Sequence, residues 1–362
     1  MMFRHRVIGA AAAAGWFFVA TAAGHAAEGF LTEVKRFDLD VIDFAPHPTQ
    51  PLVYASMFLD DKVAVIDTRS LSVVAQIPVG DKPLGLSVAP TGDRLNVANV
   101  NGNSISVINT ATNTVVDTIV TPYAPWDVVA QSNQRLFIGG ERVYQINPTT
   151  GGSAGPDING FGGAIAATAD RKTLFVGAQS TPGRIYQYDV SATNAVQLYA
   201  SPFNTVGDNG NSIIASNDGT QVVYLTGTGN VPNYNTAIYN TATWSLDGVI
   251  SGVPADVAFS PDDLLIYTSR GDVLTDEGYP SGDRWIQAHA GDVASVAVSA
   301  DGRYFFASSP QTANVYGLPG KVQIFNTGRA VPEPGTALTS LGALALTTLA
   351  RRGRRGRQRN HA

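Results

Sequence analysis

The segment Arg270 to Arg284, RGDVLTDEGYPSGDR, gathers Asp272, Asp276, Glu277 and Asp283. Carboxylates are the hard oxygen ligands that Ca2+ takes, so calcium is the one cofactor this chain suggests. The spacing is not that of an EF-hand, whose ligands alternate through a twelve-residue loop closed by a glutamate, and a solvated acidic loop is the plainer alternative. A second set is scattered along the chain: Asp40, Lys82, Trp126, Phe161, Asn209, Asp256, His289 and Asp292. Brought to one place, two aromatic rings would stack on the apolar faces of a sugar while amide and carboxylate groups took its hydroxyls. Asp40, Asp256, Asp292 and His289 would also suit acid–base chemistry if they converged. The competing reading makes Trp126 and Phe161 buried wedges between elements.

Other chemistry is excluded by composition. There is no cysteine, which removes disulfides, thiolate metal sites and cysteine nucleophiles. Apart from the two ends, His47 and His289 are the only histidines, too few for a histidine-rich copper or zinc centre. Each reads as a polar loop residue.

What could gather residues so far apart is a repeat. Asp81 to Val120 contains a whole unit: Leu84, Leu86 and Val88 alternate with small residues, Pro90 to Asp93 turns the chain, and Leu95 and Val97 continue the period of two. Asn101 to Asn103 turns it into SISVIN, and Thr110 to Asn113 into TVVDTIV, where β-branched residues favour a pleated strand. The turn between the first two strands recurs at Pro48-Thr49, Thr91-Gly92, Ser132-Asn133, Asp170-Arg171, Asp218-Gly219, Asp262-Asp263 and Asp301-Gly302. Their spacing is about forty residues, that of a four-stranded blade. The expectation is an all-β, seven-bladed β-propeller over residues 27–329. Thr32 to Leu39, an extra strand ahead of the first unit, is expected to complete the seventh blade beside Lys321 to Thr327 and close the ring without an exposed edge.

In such a ring the connections from fourth to first strand surround the central channel on one face, and the scattered set falls on them. The second-to-third connections share that face. Three look enlarged: Gly227 to Tyr234, Arg270 to Arg284 and Ser308 to Gly320, on blades five to seven. Loops on a rigid scaffold concentrate function, so this cluster is the expected binding surface. The sixth unit shows no clear third strand.

The ends read differently from the body. Arg4 and Arg6, an apolar run from Val7 to Ala23 and small residues before a cut after Ala26 or Ala27 make a secretory signal helix over residues 1–26. Residues 330–362 carry Val331-Pro332-Glu333-Pro334, a short apolar helix from Gly335 to Ala350, then Arg351, Arg352, Arg354 and Arg355 with two further arginines. Apolar residues followed by arginines form a stop-transfer pattern. The stretch is shorter than the roughly 20 residues of a comfortable span, which makes it a marginal, temporary anchor. The net charge of −5 includes these basic ends, so the body is more acidic still, which argues against nucleic acid as a partner.

Two resemblances follow from the residues quoted. NSISVINTATNTVVDTI and DKVAVIDTRSLSVVAQIPVG resemble the YVTN family of β-propeller repeats of secreted and surface-layer proteins. The signature tetrapeptide itself is degraded to Asn96-Val97-Ala98-Asn99 and Val53-Tyr54-Ala55-Ser56. The tail resembles the PEP-CTERM sorting signal of Gram-negative bacteria that make extracellular polysaccharide. That resemblance implies an exosortase partner that cuts near Pro332 to Pro334, transient inner-membrane anchoring, and a final place at the cell surface or in the extracellular matrix. The functional expectation is a non-enzymatic binding or scaffold propeller for matrix polysaccharide or another surface protein. The alternative is a lactonase-like hydrolase, or another propeller enzyme, with its site at the channel mouth.

Overall fold

The computed structural model describes residues 31–158, 163–178, 184–201, 210–226, 235–251, 254–275, 280–284, 295–309 and 320–329. They form seven antiparallel sheets, six of four strands and one of three, in the order the repeat predicts. In blade one, Asp43–Pro46, Leu52–Met57, Lys62–Asp67 and Ser72–Pro78 pair in chain order from the channel outward. The second strand is buried almost throughout because both faces pack on neighbouring blades, so its sequence is continuously apolar rather than alternating. The outermost strand faces water over most of its length.

Local chemistry sets the turns. Between third and fourth strands, Asp67, Asn109 and Asn240 each accept two backbone N–H bonds from the residues two and three positions on. Such Asx turns explain the recurring Asp-Thr or Asn-Thr. The turn then passes through the left-handed region at Leu71, Asn113 and Trp244. Asparagine tolerates that backbone, whereas a bulky residue is strained there. Trp244 is compensated by stacking on Tyr199 of blade four, ring centroids 4.2 Å apart, which staples blade five to its neighbour.

Third and fourth strands also share an irregularity. In blades one, two, four, five and seven the register slips once, leaving Val74, Val116, Leu198, Asp247 and Val34 as the extra residue of the outer strand. Such a bulge bends and twists the strand that carries it. The four apolar members are exposed.

Each of the seven blade-to-blade interfaces holds its own apolar cluster, and together these form the core. The closing interface is packed like the rest: Phe44, Val53, Ala55 and Ile66 of blade one meet Phe306, Val322 and Ile324 of blade seven. The rings of Phe44 and Phe306 lie 5.9 Å apart. Thr32–Phe37 pairs antiparallel to Lys321–Asn326 as the outermost strand of blade seven, from Thr32 opposite Asn326 to Phe37 opposite Val322. Glu33 accepts a hydrogen bond from Gln323 Nε2 at 2.7 Å, and Lys321 pairs with Asp38. The expected closure is therefore present.

Two blades depart from the expectation. In blade three the described strands are Pro125–Ser132, Arg135–Gly140 and Tyr144–Ile146. The fourth place is occupied by an irregular run joined through single bridges at Ser153 and Ile158. In blade six the stretch Arg270 to Arg284 is not an enlarged second-to-third connection. It supplies the third and fourth strands, Asp272–Thr275 and Pro280–Arg284. The connection before it is a tight turn through Gly271, φ 99°, whose N–H bonds to the Thr268 carbonyl. Short strands rich in Gly, Asp and Pro carry too little apolar alternation to stand out in sequence. Gly227 to Tyr234, and most of Ser308 to Gly320, lie outside the described residues.

Candidate functional site at the channel mouth

The first strand of every blade begins at the same end of the channel, and one residue at or near that start lines it. In blade order these are Asp43, Gly85, Asp127, Ala164, Ser212, Asp256 and Ser295. With Ile42, Leu84, Trp126, Gly163 and Ala255 they line a cavity of about 390 Å3 to which all seven blades contribute. Three of the seven positions are aspartates and four are small.

Each aspartate is a clip. Asp43 Oδ1 accepts from Phe44 N at 2.8 Å, and its Oδ2 from Leu86 N of blade two at 2.9 Å. Asp127 accepts from Val128 N at 2.8 Å and from Ile165 N of blade four at 3.2 Å. Asp256 accepts from Val257 N and Val296 N, both 2.9 Å, and from the Ser295 hydroxyl at 3.1 Å. The N–H that reaches across always follows a small residue, Gly85, Ala164 or Ser295. Gly85 is close-packed against blade three, where a Cβ would come within 2.8 Å of Asp127 Cα.

These carboxylates touch the channel but are surrounded by protein, so the water they meet is confined. Burial pushes Asp127 and Asp256 up to about 6, against the N–H bonds that hold them down. Asp43 rises well above the usual carboxylate range, first through burial and then through the negative charges of Asp127 and Asp256. Asp43 is thus coupled to the other two through their charge. Such a ring can accept hydrogen bonds from a polyol or hold a proton for exchange with a ligand.

Of the sequence-predicted mouth residues, Trp126 and Asp256 line this cavity, Trp126 being partly buried. Asp40 is not among the lining residues and packs against Gly320 at the edge of blade seven. Lys82 is a latch beside the mouth: its ammonium lies 3.6 Å from Asp61 and 5.6 Å from the Phe58 ring centre, tying two connections together. Phe161, Asn209, His289 and Asp292 lie outside the described residues. Asp272 opens a strand with its N–H directed at Thr268 Oγ1, 3.3 Å away. Asp283 falls on the paired strand, and Asp276 and Glu277 lie outside the described residues. Among the described residues no three His, Asp or Glu side chains are grouped to hold a metal ion.

Asp43 and Asp127 were missed by sequence reasoning. A signal existed: IDFA, WDVV and ADVA place an aspartate before two apolar residues about five or six positions ahead of the hairpin turn in units one, three and six. His47 lies at the opposite end of the channel from this ring. Its ring is buried, with Nε2 donating to the Gly92 carbonyl of blade two at 2.8 Å and Nδ1 accepting from Thr49 N and Gln50 N. It is a structural histidine.

Comparison with known proteins adds the fold. No known protein family matches this sequence, and no curated protein does. Among solved structures, the chain is similar to a chain of Kuenenia stuttgartiensis hydrazine synthase, with a TM-score of 0.65 and 17% identity over 82% of this chain and 98% of that one. It is likewise similar to the β-propeller domain of Cps50 (Swd1) from Myceliophteria thermophila, with a TM-score of 0.65 and 12% identity over 82% and 99%. The chain is a seven-bladed β-propeller. Identities this low speak for the architecture alone.

Proposed function

We propose that this protein is an exported, non-enzymatic β-propeller that binds polysaccharide at its channel mouth, at the cell surface or in the extracellular matrix. The observation that carries this reading is the partly buried Trp126 in the lining of a cavity ringed by three carboxylates and reached by all seven blades. An indole face stacks on sugar rings, and the carboxylates accept from hydroxyls with lone pairs left over from their clips. Export is supported by the signal helix before Ala26 and Ala27 and by the PEP-CTERM-like tail, with exosortase as the processing partner and a Gram-negative bacterium as the setting. YVTN-like repeats in blades one and two fit a surface location.

The test is calorimetric titration of residues 27–334 with a panel of bacterial polysaccharides, comparing wild type with Trp126→Ala. Binding that weakens at least tenfold in the variant, at unchanged melting temperature, supports the reading. Wild-type affinity in the variant removes Trp126 from the site, and no binding across the panel overturns the polysaccharide assignment.

One observation favours a second reading. Asp127 and Asp256 sit at about 6, where a carboxyl both gives and takes protons near neutral pH. A lactonase-like hydrolase would use them, and turnover of a lactone panel abolished in Asp127→Asn would establish it. Absence of turnover by the wild type would discard it.

A further inference from the structure

Both described ends of the ring leave from one place. Thr32 stands opposite Asn326 in the ladder of blade seven, and Arg329 follows three residues after Asn326. Thr327 is fixed there, its hydroxyl donating to the Gly302 carbonyl at 2.6 Å and its N–H to the Arg303 carbonyl at 3.0 Å. Gly302 belongs to the turn between the first and second strands. The chain thus departs at the face of those turns, whereas Lys321, at the other end of the same strand, pairs with Ser309 on the face of the channel mouth. A strand of six residues separates the two faces, about 20 Å at the usual rise.

The tail makes this separation consequential. Only Ala330 to Pro334 lie between Arg329 and the apolar stretch that begins at Gly335. So few residues reach roughly 20 Å even when fully extended. That is no more than the thickness of the ring, so turning the mouth toward the membrane would consume the whole tether along the rim of blade seven. The turn face also carries exposed carboxylates at Asp93, Asp170 and Asp218 and partly exposed ones at Asp67, Asp263 and Asp301. Anionic headgroups repel them over about one Debye length, which sets a stand-off without reversing the orientation.

We infer that, while the tail is membrane-embedded, the propeller is held with its turn face toward the lipid and its channel mouth facing away. A ligand therefore reaches the mouth from the far side of the molecule, and cutting near Pro332 to Pro334 frees a body whose mouth was already presented outward. The inference rests on the tail being a membrane segment, as proposed above, and is independent of what the mouth binds.

The chain contains no cysteine, so a single introduced thiol gives a unique label. Asn101 and Ala111 are both exposed and both in blade two, on the mouth face and the turn face respectively. Full-length Asn101→Cys and Ala111→Cys proteins, each labelled with a donor fluorophore, are reconstituted into phosphatidylethanolamine–phosphatidylglycerol vesicles that carry an acceptor lipid. Energy transfer at least twofold greater from Ala111→Cys is the expected result. Equal transfer, or greater transfer from Asn101→Cys, overturns the orientation while leaving anchoring intact. Failure of the full chain to co-sediment with vesicles overturns the membrane reading of the tail and the orientation with it.

Discussion

Asp43 Oδ2 accepts a hydrogen bond from Leu86 N at 2.9 Å, so a side chain in the channel fastens the innermost strand of blade one to that of blade two. Asp127 and Asp256 repeat this between blades three and four and between blades six and seven. The mouth is a candidate site and, by the same atoms, part of the frame.

Removing a clip therefore has a direction. Asp127→Ala leaves the Ile165 N–H without its acceptor and should destabilise the protein by about 1–3 kcal/mol, the usual cost of a buried donor left unpaired. Asp127→Asn keeps one acceptor but turns an amide on the other N–H, and should fall between wild type and alanine in thermal melts at pH 7. An alanine variant that melts with the wild type would show that the clip contributes nothing.

The pH dependence follows from the raised carboxyls. In the folded protein Asp127 and Asp256 titrate at about 6, and once unfolded near their ordinary 3.8. The folded state then holds more protons between those values. Its extra stability is complete below the unfolded value and is lost as pH rises through about 6. Melting temperature should drop between pH 5 and pH 7.5 at constant ionic strength, and the drop should flatten in the Asp127→Asn, Asp256→Asn double variant.

His47 acts in the other direction. Burial lowers its pKa, and protonated Nδ1 can no longer accept from Thr49 N and Gln50 N. Its contribution is present above the ordinary histidine value and is lost as pH falls through the lowered one. His47→Gln should be less stable than wild type at pH 7.5 by chemical denaturation, with the difference narrowing at pH 4.5. A gap that widens on acidification would contradict this.

Ring closure is tested by deleting residues 27–39. The variant loses the outermost strand of blade seven, exposes the edge of Lys321–Asn326, and should melt at much lower temperature or aggregate. An unchanged melt and a monomeric elution profile would mean that the strand is dispensable.

Blade number, blade order and the closing strand were legible because apolar alternation and Asx or Gly turns repeat at a nearly constant interval. Blade six escaped where Asp272–Thr275 and Pro280–Arg284 are short and polar, so their pairing comes from neighbours rather than from their own pattern. At the mouth, Trp126 and Asp256 were found but Asp43 was passed over for Asp40, three residues earlier. The residue that enters a channel is decided by where the strand begins, and Asp40 precedes the strand that opens at Asp43, a boundary that a four-residue strand marks only weakly in sequence. Asp127 sat beside Trp126 and was overlooked because its value lies in a hydrogen bond to another repeat, which no local pattern encodes.

The slipped register of the outer strands bears on how two copies of the disc can meet. A ring of blades presents strand edges to its surroundings, and each is a template on which a neighbour's backbone could dock. By inserting Val74, Val116, Leu198, Asp247 or Val34 into the outermost strand, five blades break the even march of donors and acceptors that such docking needs. An outer edge interrupted in this way is a poor template for a neighbour's strand, which favours separate discs over edge-to-edge polymers.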